Sequence, residues 1–102
     1  MSGTVGAIRI DVWLWQARQF KTRSLATSMV AKGRMRLTSS GTTRRIAKPS
    51  ALVRAGDILT LPRDGMIVRL EILALGTRRG PATEAQALYR LVEDEETEAS
   101  HV

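Results

Sequence analysis

The apolar residues change their spacing at Gly33, and that change constrains the fold of this 102-residue chain more than any other feature. Before it, Ile10, Trp13, Leu14 and Ala17 recur at i, i+3, i+4 and i+7, the repeat of one helix face. The helical period begins at Ile8. It sets Asp11 near the positive end, where a carboxylate is favoured and where capping, or pairing with a nearby Arg, is its simplest role. After Phe20 and Lys21, Thr22 or Ser24 can cap a second helix with an apolar stripe of Leu25, Ala26, Met29 and Val30. Gly33 ends that helix in the left-handed position. Beyond it the period is two: Met35 and Leu37 point inward, Arg34 and Arg36 outward. Residues 39–43 read as a loop, and Gly56-Asp57 turns into a strand over 58–61 that Pro62 ends. Arg63-Asp64-Gly65 then leads into a half-buried run in which Val68, Leu70 and Ile72 alternate with Arg69 and Glu71. Residues 83–89 look helical, with Ala85, Leu88 and Tyr89 available to pack.

This length holds one small domain and no second core. The glycine-rich residues 1–7 and the acidic residues 91–102 are expected to be disordered ends around a single domain at 8–90. No apolar run approaches the ~18 residues of a membrane span, and no signal peptide is expected. The absence of Cys excludes a disulfide framework, a thiol nucleophile and a thiolate metal site, and suits a reducing cytoplasm. The only His, His101, lies one residue from the end, a poor place for a triad or a metal ligand. There is no Gly-rich phosphate loop ending in Gly-Lys-Ser/Thr and no dinucleotide fingerprint. Asp11 and Asp57 could be imagined as an acid–base pair, but both sit at element starts where local structure explains them. No catalytic residue, metal or cofactor is expected.

Charge points towards function. Residues 1–80 carry +11 and residues 81–102 carry −5, the latter from Glu84 and the run Glu93, Asp94, Glu95, Glu96 and Glu98 against Arg90. A body this basic attracts polyanions, nucleic acid being the commonest; a merely solubilising surface is the plainer alternative. The acidic end is either a solvated tail or an internal competitor for the basic face. Lys21, Thr22, Arg23 and Ser24 cluster at a helix N-terminus, where free N–H groups and the dipole already favour anions. Trp13 belongs to the core face. Trp15 lies off it and either covers the core's edge or offers a ring to a base.

The succession Arg9-Ile10-Asp11, Leu14, Thr22-Arg23-Ser24-Leu25-Ala26, Val30, Gly33-Arg34-Met35-Arg36-Leu37 and Gly56-Asp57-Ile58-Leu59 resembles the S-four-type RNA-binding domain. Within that group, Trp13-Leu14-Trp15, Lys21-Thr22-Arg23, Lys48-Pro49-Ser50 and the stretch from Arg78 to Ala85, followed by Leu88-Tyr89, resemble the ribosome-associated heat-shock protein 15 family. The resemblance runs from about Arg9 to Tyr89. It implies an α+β fold of two packed helices against a small antiparallel sheet, with a short C-terminal helix. It implies an RNA-binding surface of Arg9, Lys21, Thr22, Arg23, Arg34, Arg36 and Lys48. Relatives carry an Asn-Gly turn where this chain has Thr38-Ser39-Ser40-Gly41, so a longer loop is expected and the register of residues 42–46 stays open. Arg44 and Arg45 therefore form a second rank, which Lys32 joins.

The same resemblance implies a non-enzymatic cytoplasmic stress protein, without membrane or small-molecule substrate. It would dock as a monomer on ribosomal RNA of the large subunit and help rescue subunits that hold a nascent chain on transfer RNA. Rival readings are a module that binds transfer RNA or assembles ribosomes, and a basic adaptor for an acidic protein. Double-stranded DNA stays open on charge alone. The module is often fused to RNA-modifying enzymes, but this length leaves no residues for a catalytic domain.

Overall fold

Ile10, Trp13 and Leu14 are fully buried, as their spacing requires, and the helix that carries them is α1, Ile10–Gln16. This computed structural model describes residues 6–92; the expectations for residues 1–5 and 93–102 fall outside it. The helix does not begin at Ile8. Ile8–Arg9 form a short strand, β1, whose backbone pairs antiparallel with Leu52–Val53 (β4) instead of starting a helical turn. α1 ends in two reverse hydrogen bonds, Arg18 N–H to Trp15 O and Gln19 N–H to Leu14 O, with Arg18 left-handed at φ 59°. That is the Schellman ending with Arg where Gly is usual.

The second helix, α2, spans Arg23–Ala31 and is capped by Thr22, whose Oγ1 accepts the Leu25 N–H at 3.0 Å. Ala26 and Val30 are buried against α1, and Met29 is half-buried. Leu25 departs from the expected stripe: it is 43% exposed, because it lies one residue, about 100°, round the helix from the Ala26–Val30 line. Gly33 turns the chain out at φ 73°, where a Cβ would be strained.

Five antiparallel strands follow in the order β3-β2-β5-β6-β7: β2 Met35–Ser39, β3 Thr42–Ile46, β5 Ile58–Arg63, β6 Met66–Ile72 and β7 Tyr89–Leu91. The region 39–43 is not a long loop. Ser39 pairs with Thr42 across a two-residue turn, Ser40-Gly41, with φ 51° and 81°. Both positive values mark a primed hairpin turn, the same device as Asn-Gly. Pro62 does not end β5, which runs on to Arg63. Alternation from the Arg63–Met66 pair beside the Asp64-Gly65 turn makes Pro62–Ile67 a non-hydrogen-bonded pair, so the missing N–H faces away from β6. On that other side β2 pairs only as far as Thr60, and no ladder bond is lost. The helix expected over 83–89 is shorter: α3 covers Ala82–Gln86, and Tyr89 opens β7, paired with Ile72. α3 is thus not the last element, and Leu91, opposite Leu70, carries the sheet just past the expected domain edge.

One face of the sheet carries Met35, Leu37, Ile46, Leu59, Leu61, Leu70 and Ile72, all buried in one cluster with the inner residues of α1 and α2. Each such side chain contributes roughly 1.5–3 kcal/mol by leaving water. The α+β class and the packing of two helices on a small antiparallel sheet follow from this arrangement.

Candidate nucleic-acid interface

Asp11 organises one end of the basic face. It is fully buried and receives both arms of the Arg9 fork, Nε to Oδ1 at 3.0 Å and Nη2 to Oδ2 at 2.9 Å. The Thr27 hydroxyl of α2 donates to Asp11 Oδ2 and also lies 2.9 Å from the Arg23 carbonyl. Burial alone would push the Asp11 carboxyl up; the bonds from Arg9 and Thr27, with the charges of Arg9 and Arg23, outweigh it and hold the carboxyl below its ordinary value. The same pairing raises the Arg9 guanidinium. Arg9 is therefore fixed in place and partly neutralised, with its Nη1 protons directed away from the fork.

The chain at 48–51 folds onto this point. Ile10 N–H donates to Ala51 O and Asp11 N–H to Pro49 O, which brings Lys48 beside the start of α1. Next to Lys48 in sequence, Ala47 packs by Gly33, where an added Cβ would lie 3.6 Å from the Ala47 Cβ and 3.6 Å from Arg45 Nη1. Lys48 thus joins two groups: Arg9, Lys21, Thr22 and Arg23 towards the N-terminal half of α2, and Lys32, Arg34, Arg36 and Arg45 around its C-terminus. The nine residues of α2 span about 13 Å. Thr22 Oγ accepts the cap bond, leaving its proton to donate outward.

Strand register separates the two arginines of β3. Arg45 stands opposite Arg36 on the outer face, whereas Arg44 is opposite inward-facing Leu37. Arg45 therefore belongs to the main surface and Arg44 lies across the strand from it. The row continues through Thr60 to Arg69, so Arg45, Arg36, Thr60 and Arg69 line up across four strands about 4.8 Å apart. Arg69 was not among the expected site residues; its outward alternation with Leu70 was readable, its alignment with Arg36 was not. Like charges side by side destabilise a free sheet, and an anion laid across them relieves that cost.

Apart from Arg9 with Asp11, the ion pairs among the described residues lie away from these cations. Among the described residues, Lys21, Arg23, Lys32, Arg34, Arg36, Arg44, Arg45 and Lys48 have no carboxylate within 4.0 Å, while Arg78 pairs with Glu84 and Arg90 with Glu71. All eight are exposed. The arrangement can hold several phosphates at once, with guanidinium forks, a hydroxyl and a capped helix end. The two acids once worth weighing as a pair have local duties: Asp57 Oδ2 accepts the Arg54 N–H at 3.0 Å, and Asp11 holds Arg9. No group of three potential metal ligands occurs among the described residues.

A second feature lies behind the basic face. The segment after β6 is tied to α1 by Trp13 Nε1–H to Ala74 O, Arg18 Nε–H to Gly80 O and Arg79 Nε–H to Trp15 O. The Arg79 guanidinium sits 5.9 Å from the Trp15 ring centroid, so one face of that ring is covered by a cation.

No protein-family model matches the chain. Among curated proteins it is 38% identical over 93 residues to a heat shock protein 15 homologue of Haemophilus influenzae, covering 91% of this chain and 63% of that one. It is 40% identical over 83 residues to heat shock protein 15 of Escherichia coli, covering 80% of this chain and 58% of the relative. The chain thus spans about three fifths of the length of these relatives. A solved trimeric structure of heat shock protein 15 from Vibrio cholerae superposes with a TM-score of 0.75 at 37% identity, covering 93% of this chain and 91% of that one. At that identity and coverage, on the same helix and strand arrangement, the chain belongs to the heat shock protein 15 family.

Proposed function

We propose that this chain is a non-enzymatic RNA-binding protein that docks on ribosomal RNA of the large subunit. The observation that supports the reading is a set of exposed cations with no carboxylate within 4.0 Å among the described residues: Lys21 and Arg23 at the start of α2, and Arg36 and Arg45 side by side on the outer face of the sheet. A-form RNA hides its base edges in a deep major groove, so a surface of this kind reads phosphate spacing and 2′-hydroxyls. Arg23 and Arg34 make forked phosphate contacts, Lys21, Arg36, Arg45 and Lys48 add charge, and Thr22 donates a hydroxyl proton. Membership of a heat-shock family supports a role under stress, and the proposal extends to the rescue, in the cytoplasm, of large subunits holding a nascent chain on transfer RNA.

Co-sedimentation of the purified chain with large subunits, small subunits and whole ribosomes, with and without peptidyl-transfer RNA, tests this. Selective pelleting with the large subunit, stronger when the nascent chain is present, is expected. Equal weak binding to every particle contradicts the large-subunit reading, and binding that survives ribonuclease contradicts RNA as the partner. The same reading has one chain per site; sedimentation velocity of the free protein should return a monomer's mass, although its Vibrio relative was solved as a trimer.

A further inference from the structure

Gln16, at the end of α1, is 5% exposed, and its Oε1 accepts no hydrogen bond from any of the described residues. A buried amide carbonyl left unpaired costs about 1–3 kcal/mol. It lines a cleft of about 210 Å³ between α1 and the segment 75–88. Leu75 and Leu88 form apolar walls, and the exposed Arg78–Glu84 ion pair stands at the rim. Gly76 keeps the cleft open: an added Cβ there would lie 2.9 Å from Gln16 Oε1 and 3.2 Å from a Leu88 methyl. The volume is that of about seven waters at ~30 Å³ each, far more than one water bridging a carbonyl needs, yet below the ~300 Å³ of drug-sized sites. A single ring system fits it.

We propose that this cleft holds one unpaired nucleobase, with Gln16 Oε1 accepting a proton from the base's exocyclic amine; the choice of a nucleobase rests on the RNA-binding reading above. The acceptor is neutral and the walls are apolar, so the occupant is a planar neutral donor. A cationic ligand would compete for Glu84, which Arg78 already holds through two hydrogen bonds at 3.1 and 3.0 Å. Adenine, cytosine and guanine carry that amine; uracil offers only its N3–H, flanked by two carbonyl oxygens that Gln16 Oε1 repels. The Arg79 guanidinium beside Trp15 supplies a cation near the same segment for the nucleotide's phosphate.

The nucleobase can belong to a free nucleotide or to an extruded residue of RNA, and two arms separate these. In the first, AMP, CMP and UMP are titrated into the labelled protein and the Gln16 side-chain amide signals are followed by NMR. AMP and CMP should shift them, with UMP about five- to tenfold weaker, the worth of one hydrogen bond to a buried acceptor. Equal shifts by UMP, or no shift by any nucleotide or bulged RNA, overturn the proposal. In the second arm, an RNA hairpin with one bulged adenine is compared with its fully paired counterpart. Tighter binding of the bulge, erased by Gln16→Met, assigns the site to RNA; shifts by AMP without that gain assign it to free nucleotides and overturn the RNA-embedded form.

Gln16→Met should melt at the same or a higher temperature than wild type, since it removes an orphan acceptor while keeping the side chain's length. A clear fall makes Gln16 structural and overturns the proposal. Binding of the fully paired hairpin by both proteins, with the nucleobase arm failing, leaves the phosphate-docking reading intact. Loss of hairpin binding with nucleotide shifts retained is the reverse case.

Discussion

Asp11 decides how Arg9 is used. A buried carboxylate that takes a guanidinium fork and a hydroxyl proton clamps α1 to α2 and leaves Arg9 as a positioned, half-neutralised contact. Asp11→Ala should lower the melting midpoint by roughly 5–10 °C, the loss of hydrogen bonds to a buried charged group in a small domain. Its pH signature follows from the lowered carboxyl. The stabilisation is present above the unfolded value near 3.8 and is lost as pH falls through the lower folded value. Acid titration of stability should therefore show a component in wild type that Asp11→Asn lacks; parallel curves for the two proteins contradict the clamp. Arg23 is a different kind of residue, exposed and with no carboxylate within 4.0 Å among the described residues, its charge reaching Asp11 only from further off. Arg23→Gln, which removes the cation without setting an anion near Asp11, should weaken RNA binding while the far-UV spectrum is unchanged and stability stays within about 0.5 kcal/mol. Unfolding of that variant would make Arg23 structural.

At the scale of elements, the hairpin joining β2 to β3 carries Arg44 and Arg45 into place. Its turn needs positive φ at both Ser40 and Gly41, and Ser tolerates that less well than Asn. Ser40→Asn should stabilise the protein by about 0.5 kcal/mol, or roughly 2–4 °C in midpoint, without altering RNA affinity. A drop in midpoint would mean the turn is not of this type. The helices and the strands β2, β5 and β6 were legible because Trp13, Val30, Leu37 and Leu70 repeat with clear periods. β3 was not: four of its five residues, Thr42 to Arg45, are exposed, so an edge strand shows no apolar alternation. Tyr89 joined a strand because pairing with Ile72, seventeen residues earlier, outweighed the local helical pattern. The docking of Arg18 on Gly80 and of Trp13 on Ala74 spans some sixty residues of sequence and leaves no local signal, which is why the Gln16 cleft could not be read from the chain. Arg23 and Arg34 were readable as outward cations; that Arg45 and Arg69 share a row with Arg36 needed the register.

At the scale of the whole molecule, the outer face of the sheet sets like charges side by side. Arg36 opposite Arg45, with Arg34 and Lys32 near, raises the free energy of the unbound protein. Adding a structured RNA should raise the melting midpoint with its concentration, as any ligand of the folded state does, and added salt should weaken that shift. An unchanged midpoint at saturating RNA would argue that the charged face is only solubilising.

The measurement that tests the central claim most directly is the affinity of the chain for a large-subunit ribosomal RNA fragment as a function of salt. With about five phosphates neutralised, log affinity against log salt should fall with a slope of roughly −3.5 to −4.5, shallower by nearly one for each of Arg23 and Arg34 replaced by Ala. A slope near zero, or one that these replacements leave unchanged, would contradict docking through this face.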